Sequence, residues 1–87
     1  MERTMPIVNK LGLHARPAAE FVKVAGRFTS NITVRKDDLE VNGKSIMGMM
    51  MLAAECGSSL LVRAEGEDAE QALDAIAALI AAGFGED

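Results

Sequence analysis

Within 87 residues the spacing of apolar side chains changes character six times, and a chain that alternates strand-like and helix-like segments so quickly has few ways to bury them all. Thr4 to Asn9 reads as a short strand, with Pro6 confining it to a sheet edge because proline donates no ladder hydrogen bond. Lys10 to Arg16 follows neither period and reads as a loop. Pro17 to Phe28 places Ala18, Phe21, Val22, Ala25 and Phe28 at spacings of three and four, an amphipathic helix whose other face shows Glu20, Lys23 and Arg27. Pro17 suits the first helical position, where its missing N–H costs nothing. Ile32 to Lys36 alternates as a strand, Asp37-Asp38 reads as a turn, and Leu39 to Val41 completes a hairpin. Ser45 to Ala54 reads as a short helix, Gly57 to Ser59 as a turn and Leu60 to Ala64 as a strand. The last helix opens at Asp68 with Gln71 three residues later, a capping-box pattern, and carries Ala69, Leu73, Ile76 and Ile80 on one face up to Gly83. The order β-α-β-β-α-β-α predicts an α+β fold in two layers, with helices on one face of an antiparallel sheet.

The length allows one small domain, 1–87, near the lower end of what buries a self-sufficient core, so multi-domain enzymes are excluded. Aromatics are 3% of the chain, with no Trp or Tyr, and the core must therefore be aliphatic. A single cysteine, Cys56, forms no internal disulfide and points to a reducing compartment. One His and one Cys without clustered spacing argue against zinc, and no cofactor or metal is expected. No stretch approaches a membrane span and the N-terminus lacks an apolar signal core, so a cytoplasmic protein without membrane insertion is expected. The acidic balance and lack of stacking aromatics weigh against nucleic acid. Charge is unevenly divided: Met1 to Ser45 has eight Lys/Arg against five Asp/Glu (+3), and Ile46 to Asp87 has one against eight (−7).

The lone histidine, His14, feeds directly into the Pro17 helix. Neither Ala15 nor Arg16 offers a side-chain acceptor, so the first helical N–H groups lack the usual Ser/Thr/Asp/Asn cap. That vacancy suits an anion, and Arg16 adds planar, bidentate donors at the same place. An imidazole can take a group covalently on one ring nitrogen while the other is oriented by a hydrogen bond. A nucleophilic ring beside an anion hole suggests transient phosphoryl attachment; a plain surface-loop histidine is the alternative.

Gly12-Leu13-His14-Ala15-Arg16-Pro17-Ala18 resembles the active-site motif of the HPr family, the histidine-containing phosphocarriers of the bacterial sugar phosphotransferase system. Asn42-Gly43-Lys44-Ser45-Ile46-Met47-Gly48 resembles that family's second signature, and the likeness covers essentially the whole chain. It implies an open-faced β-sandwich with a four-stranded antiparallel sheet and three helices on one face. It implies a carrier rather than an enzyme, taking phosphate from enzyme I and passing it to the A domains of enzyme II. His14 would accept the phosphoryl group on Nδ1 and Arg16 would stabilise it.

Ser45 precedes an apolar run and reads as a helix N-cap. By the resemblance it also matches a serine phosphorylated by an HPr kinase/phosphorylase, a regulatory use compatible with a helix N-terminus. Met47, Met50 and Met51 cannot all share a helical face with Met49, so some are exposed. Ile46, Met47 and Met50 match the family's apolar docking patch, with Ala15 and Ala19 beside it and Lys23, Arg27 and Lys44 as a basic rim that steers acidic partners. Cys56 and the tail Glu86-Asp87 read as a loop residue and a solvated end without chemistry. A monomer is expected. The Gly-Phe and acidic residues near the C-terminus also resemble the carrier of the nitrogen-related phosphotransfer branch, which is the alternative; the signature around Ser45 favours the sugar branch.

Overall fold

Every second residue of the strand Ser59–Glu65 is buried, and that alternation organises the molecule: Leu60, Val62 and Ala64 turn inward while Arg63 and Glu65 face solvent. In the computed structural model, which describes residues 1–86, this strand (β4) lies between two others. On one side is β1 (Glu2–Pro6) and on the other β2 (Asn31–Lys36), which pairs with β3 (Leu39–Asn42). The sheet order is β1-β4-β2-β3, antiparallel throughout. Met5 sits opposite Leu60, Val34 opposite Val62 and Ile32 opposite Ala64, so the buried residues of three strands share one face.

Helices α1 (Ala15–Ala25), α2 (Ile46–Met51) and α3 (Ala69–Ala81) cover that face. They contribute Ala18, Phe21 and Ala25, then Met49, then Ala72, Leu73, Ile76 and Ile80, none more than 1% exposed. Burying each large side chain among them is worth roughly 1.5–3 kcal/mol. The open-faced α+β sandwich implied by the sequence is therefore the observed fold, and Pro6 does lie on an edge strand.

Several boundaries move. The first strand spans Glu2–Pro6 rather than Thr4 to Asn9, because Asn9 is drawn into the interior as a loop anchor. The first helix begins two residues before Pro17, since the His14 carbonyl already accepts the Ala18 N–H at 3.0 Å, and it ends at Ala25 rather than Phe28. Pro17 still falls in the first turn, where no N–H is required. The second helix is shorter than Ser45 to Ala54: Ser45 caps it, its Oγ accepting the Gly48 N–H at 3.0 Å, and Ala53 takes a positive φ of 47°.

The capping box at the third helix does not form. Asp68 occupies the N-cap position but makes no side-chain bond to its own helix. Its carboxylate instead accepts the Thr29 N–H at 2.8 Å, the Ser30 N–H at 3.0 Å and both hydroxyls, tying α3 to the segment that enters β2. These bonds, the Ser30 hydroxyl first and then the Thr29 N–H, hold the carboxyl down from 3.8 to about 2. A carboxyl depressed by folding stabilises fully above its unfolded pKa and loses that contribution as pH falls through the folded one. The unfolding midpoint should therefore drop between about pH 3.8 and about pH 2. In Asp68→Asn that decline should be shallower, and identical acid limbs in the two proteins would contradict the role given to the carboxylate.

Candidate functional site

The site is assembled by the loop between β1 and α1. Gly12 adopts φ +70°, and a side chain there would collide with the carbonyl of Ala54, so the loop closes against the end of α2 only with glycine. The Leu13 N–H bonds that same Ala54 carbonyl at 2.8 Å and the Leu13 side chain is buried. With Leu13 fixed inward, His14 emerges at the N-cap of α1 in extended conformation (φ −84°, ψ −168°), its side chain 39% exposed.

Among the described residues no side chain caps α1, and no acidic residue sits in its first turn. The N–H groups of Ala15 and Arg16 therefore have no hydrogen-bond partner among the described residues, at the positive end of the helix dipole beside the ring. Arg16 is exposed and, among the described residues, makes no ion pair. It adds a movable cation to the same place.

The ring itself is held from the C-terminal side. His14 Nε2 lies 2.9 Å from Glu86 Oε2 and 3.3 Å from Oε1. Glu86 is only 16% exposed at the side chain, which corrects the reading of it as a solvated end; Asp87 lies outside the described residues. A carboxylate only accepts, so Nε2 is the donor and carries the proton. In the neutral ring the lone pair is then on Nδ1, which no hydrogen bond engages among the described residues.

The second signature packs alongside. Ser45 is half-buried at its cap position, and beyond it Ile46, Met47 and Met50 are 44%, 76% and 44% exposed, while Met49 is fully buried. Met51, one of the methionines whose exposure helical geometry allows, is also exposed, as is Leu11, which the sequence does not single out. Ala15 is exposed and Ala19 half-buried; Lys23 is exposed on α1 and Arg27 in the turn that follows it. Lys44 is engaged rather than free: its Nζ donates to the Phe28 carbonyl at 2.7 Å, joining the end of α1 to the start of α2. Asn9 and Glu86 are the participants that sequence reasoning missed. The signal available was the Gly83-Phe84-Gly85 run, which can turn the Glu86 side chain that follows it back onto the body. Cys56 is exposed, its thiol 3.7 Å from the Val8 carbonyl. Among the described residues no helix is long and apolar enough to cross a membrane.

The family model described as PTS HPr component phosphorylation site matches residues 1–82. The phosphocarrier protein HPr of Cupriavidus necator is 46% identical over 86 residues, covering 99% of this chain and 97% of its own. The HPr-like protein Crh of Halalkalibacterium halodurans is 48% identical over 80 residues, 92% of this chain and 95% of its own. Among solved structures, HPr-C-His from Thermoanaerobacter tengcongensis superposes with a TM-score of 0.95 at 50% identity, covering 100% of this chain and 98% of that one.

Proposed function

Because this chain belongs to the HPr family, the phosphocarriers of the phosphotransferase system, we propose that His14 is its phosphoryl acceptor, with phospho-enzyme I as donor and the A domains of enzyme II as recipients. The observation that carries this reading is the commitment of Nε2 to Glu86, which leaves the lone pair on Nδ1. The Nδ1 lone pair attacks phosphorus, the bond from phosphorus to the donor breaks, and its electron pair departs with the donor. The new phosphoryl oxygens meet the Ala15 and Arg16 N–H groups and the Arg16 guanidinium. One exposed arginine and a helix end, rather than an enclosed pocket, suit a carrier that must also let go, since every 1.4 kcal/mol of extra hold shifts transfer about tenfold.

The exposed Ile46, Met47 and Met50 beside α1, with Ala15 and Ala19 between, form the surface on which partners dock, and Lys23, Arg27 and Lys44 supply its basic rim. Thioethers repack readily, which fits one surface that serves several partners. Ser45 is the regulatory position, open to an HPr kinase/phosphorylase. A phosphate there keeps the capping geometry while placing negative charge inside the docking surface. Ser45→Asp should slow phosphoryl transfer from enzyme I mainly through a raised KM, while Ser45→Ala should chiefly cost about 1 kcal/mol of stability. Unchanged KM in Ser45→Asp would remove Ser45 from the interface.

The test of the function is incubation with enzyme I and phosphoenolpyruvate. The chain should gain the mass of one phosphoryl group, lost again in acid as phosphohistidine is, and pass it to an enzyme II A domain. Failure to gain it would exclude the carrier role.

A further inference from the structure

Two features near His14 cost stability and have no use in the core. Asn9 is 3% exposed, and its Oδ1 is buried without a hydrogen-bond partner among the described residues. The chain end is strained: Gly83, Phe84 and Gly85 all take left-handed conformations, at φ of 64°, 58° and 77°, and Phe84 is not a residue that favours it. Both oddities have one common product, which is the placement of the Glu86 carboxylate. Phe84, 6% exposed, pins the end of the chain, and the left-handed run turns Glu86 back toward α1. There the Asn9 Nδ2 donates to Glu86 Oε1 at 2.9 Å and to the Gly12 carbonyl at 2.7 Å.

The chemistry of those neighbours settles the orientation of the amide. Both are pure acceptors, so the NH₂ group must face them and the Oδ1 is left behind unpaired. Asn9 thus joins the glycine loop, which sets where His14 emerges, to the carboxylate, which sets which nitrogen of His14 holds the proton.

We propose that Asn9 and Glu86 form a positioning relay that keeps the His14 proton on Nε2 throughout the phosphoryl cycle. This rests on His14 being the phosphoryl acceptor. When Nδ1 attacks phosphorus, the ring becomes a phosphoimidazolium whose proton stays on Nε2 and whose positive charge faces Glu86. When the group moves on, the P–Nδ1 bond breaks, its electron pair returns to Nδ1, and the phosphoryl group goes to the recipient. The ring is again the neutral Nε2–H form, and no proton has moved. Without the relay the neutral ring divides between two tautomers, and the Nδ1–H form has no lone pair where phosphorus arrives.

The full-length protein labelled with ¹⁵N-histidine reports the tautomer directly from its ring nitrogen shifts, with no phosphorylation needed. The wild type should be held in the Nε2–H form, and Glu86→Ala should populate both. Asn9→Asp keeps the side-chain size but replaces the donors by acceptors that repel Glu86, and should do the same. Phosphoryl uptake from phospho-enzyme I should lose about tenfold in kcat in both variants, with KM for enzyme I unchanged, the scale of losing a carboxylate that orients a working imidazole. Glu86→Ala removes a side chain that lies outside the core and answers the question even if Asn9→Asp does not fold. An unchanged tautomer ratio in Glu86→Ala overturns the relay whatever its rate. Absence of phosphorylation in the wild type instead overturns the acceptor assignment, and the two failures are distinguishable.

Discussion

His14→Ala should take up no phosphoryl group from enzyme I and phosphoenolpyruvate, at any enzyme I concentration, while remaining folded. The loss is complete rather than graded because the reaction needs a lone pair at that position, and no other imidazole exists in the chain. Folding should survive because what α1 takes from residue 14 is its carbonyl, which alanine retains, and the imidazole makes no capping bond that alanine would forfeit. The stability change should be about 1 kcal/mol, the scale of the one hydrogen bond to Glu86 that the ring gives up. Arg16→Ala gives the useful contrast: the acceptor persists, so uptake should continue at reduced rate. Normal labelling of His14→Ala, measured as phosphoryl mass, would place the acceptor elsewhere.

The second large effect is on folding. Phe21→Ala should destabilise the protein by about 4 kcal/mol, the usual cost of emptying a buried phenylalanine site. Phe21 is fully buried on α1 within a single core cluster, so its removal leaves a space the packed neighbours fill only in part. At roughly 0.05–0.15 kcal/mol per residue a chain of this size holds about 4–13 kcal/mol in all, so the variant should be marginal at room temperature. Phe28→Ala, at a half-buried position packed against the core, should cost clearly less. Denaturant unfolding of the two variants checks the order, and equal losses would contradict the packing described for α1.

These effects fall on residues of unequal visibility in the sequence. The core faces of α1 and α3 were legible because a 3.6-residue period follows directly from burial of one side, and Phe21, Leu73, Ile76 and Ile80 carry it openly. The exposure of some methionines followed from helical geometry alone, since Met49 is buried and Met47, Met50 and Met51 are not. His14 and Arg16 were legible as an uncapped helix start, a local property. What escaped was non-local. Asp68 looks like a helix cap by its neighbours, yet it bonds Thr29 and Ser30, 39 and 38 residues away. Glu86 looks like a solvated end, yet it meets a ring 72 positions earlier. Asn9 resembles the last residue of a strand, and only the closed loop shows it as a hub. Local patterns reveal the cost of leaving a group unpaired but not the partner that tertiary structure supplies. The division of charge acquires a meaning here too. The +3 half holds His14 and Ser45, and the −7 half returns one of its carboxylates, Glu86, to the histidine.

On the proposed function, phosphate would reside on one atom, His14 Nδ1, because Nε2 is held by Glu86. The most direct measurement is NMR of the ¹⁵N-histidine protein after phosphorylation by enzyme I and phosphoenolpyruvate, reading the one-bond coupling between phosphorus and each ring nitrogen. The expected result is coupling to Nδ1 alone, with a proton retained on Nε2. Coupling to Nε2, or a phosphoryl group on any other residue, would contradict it.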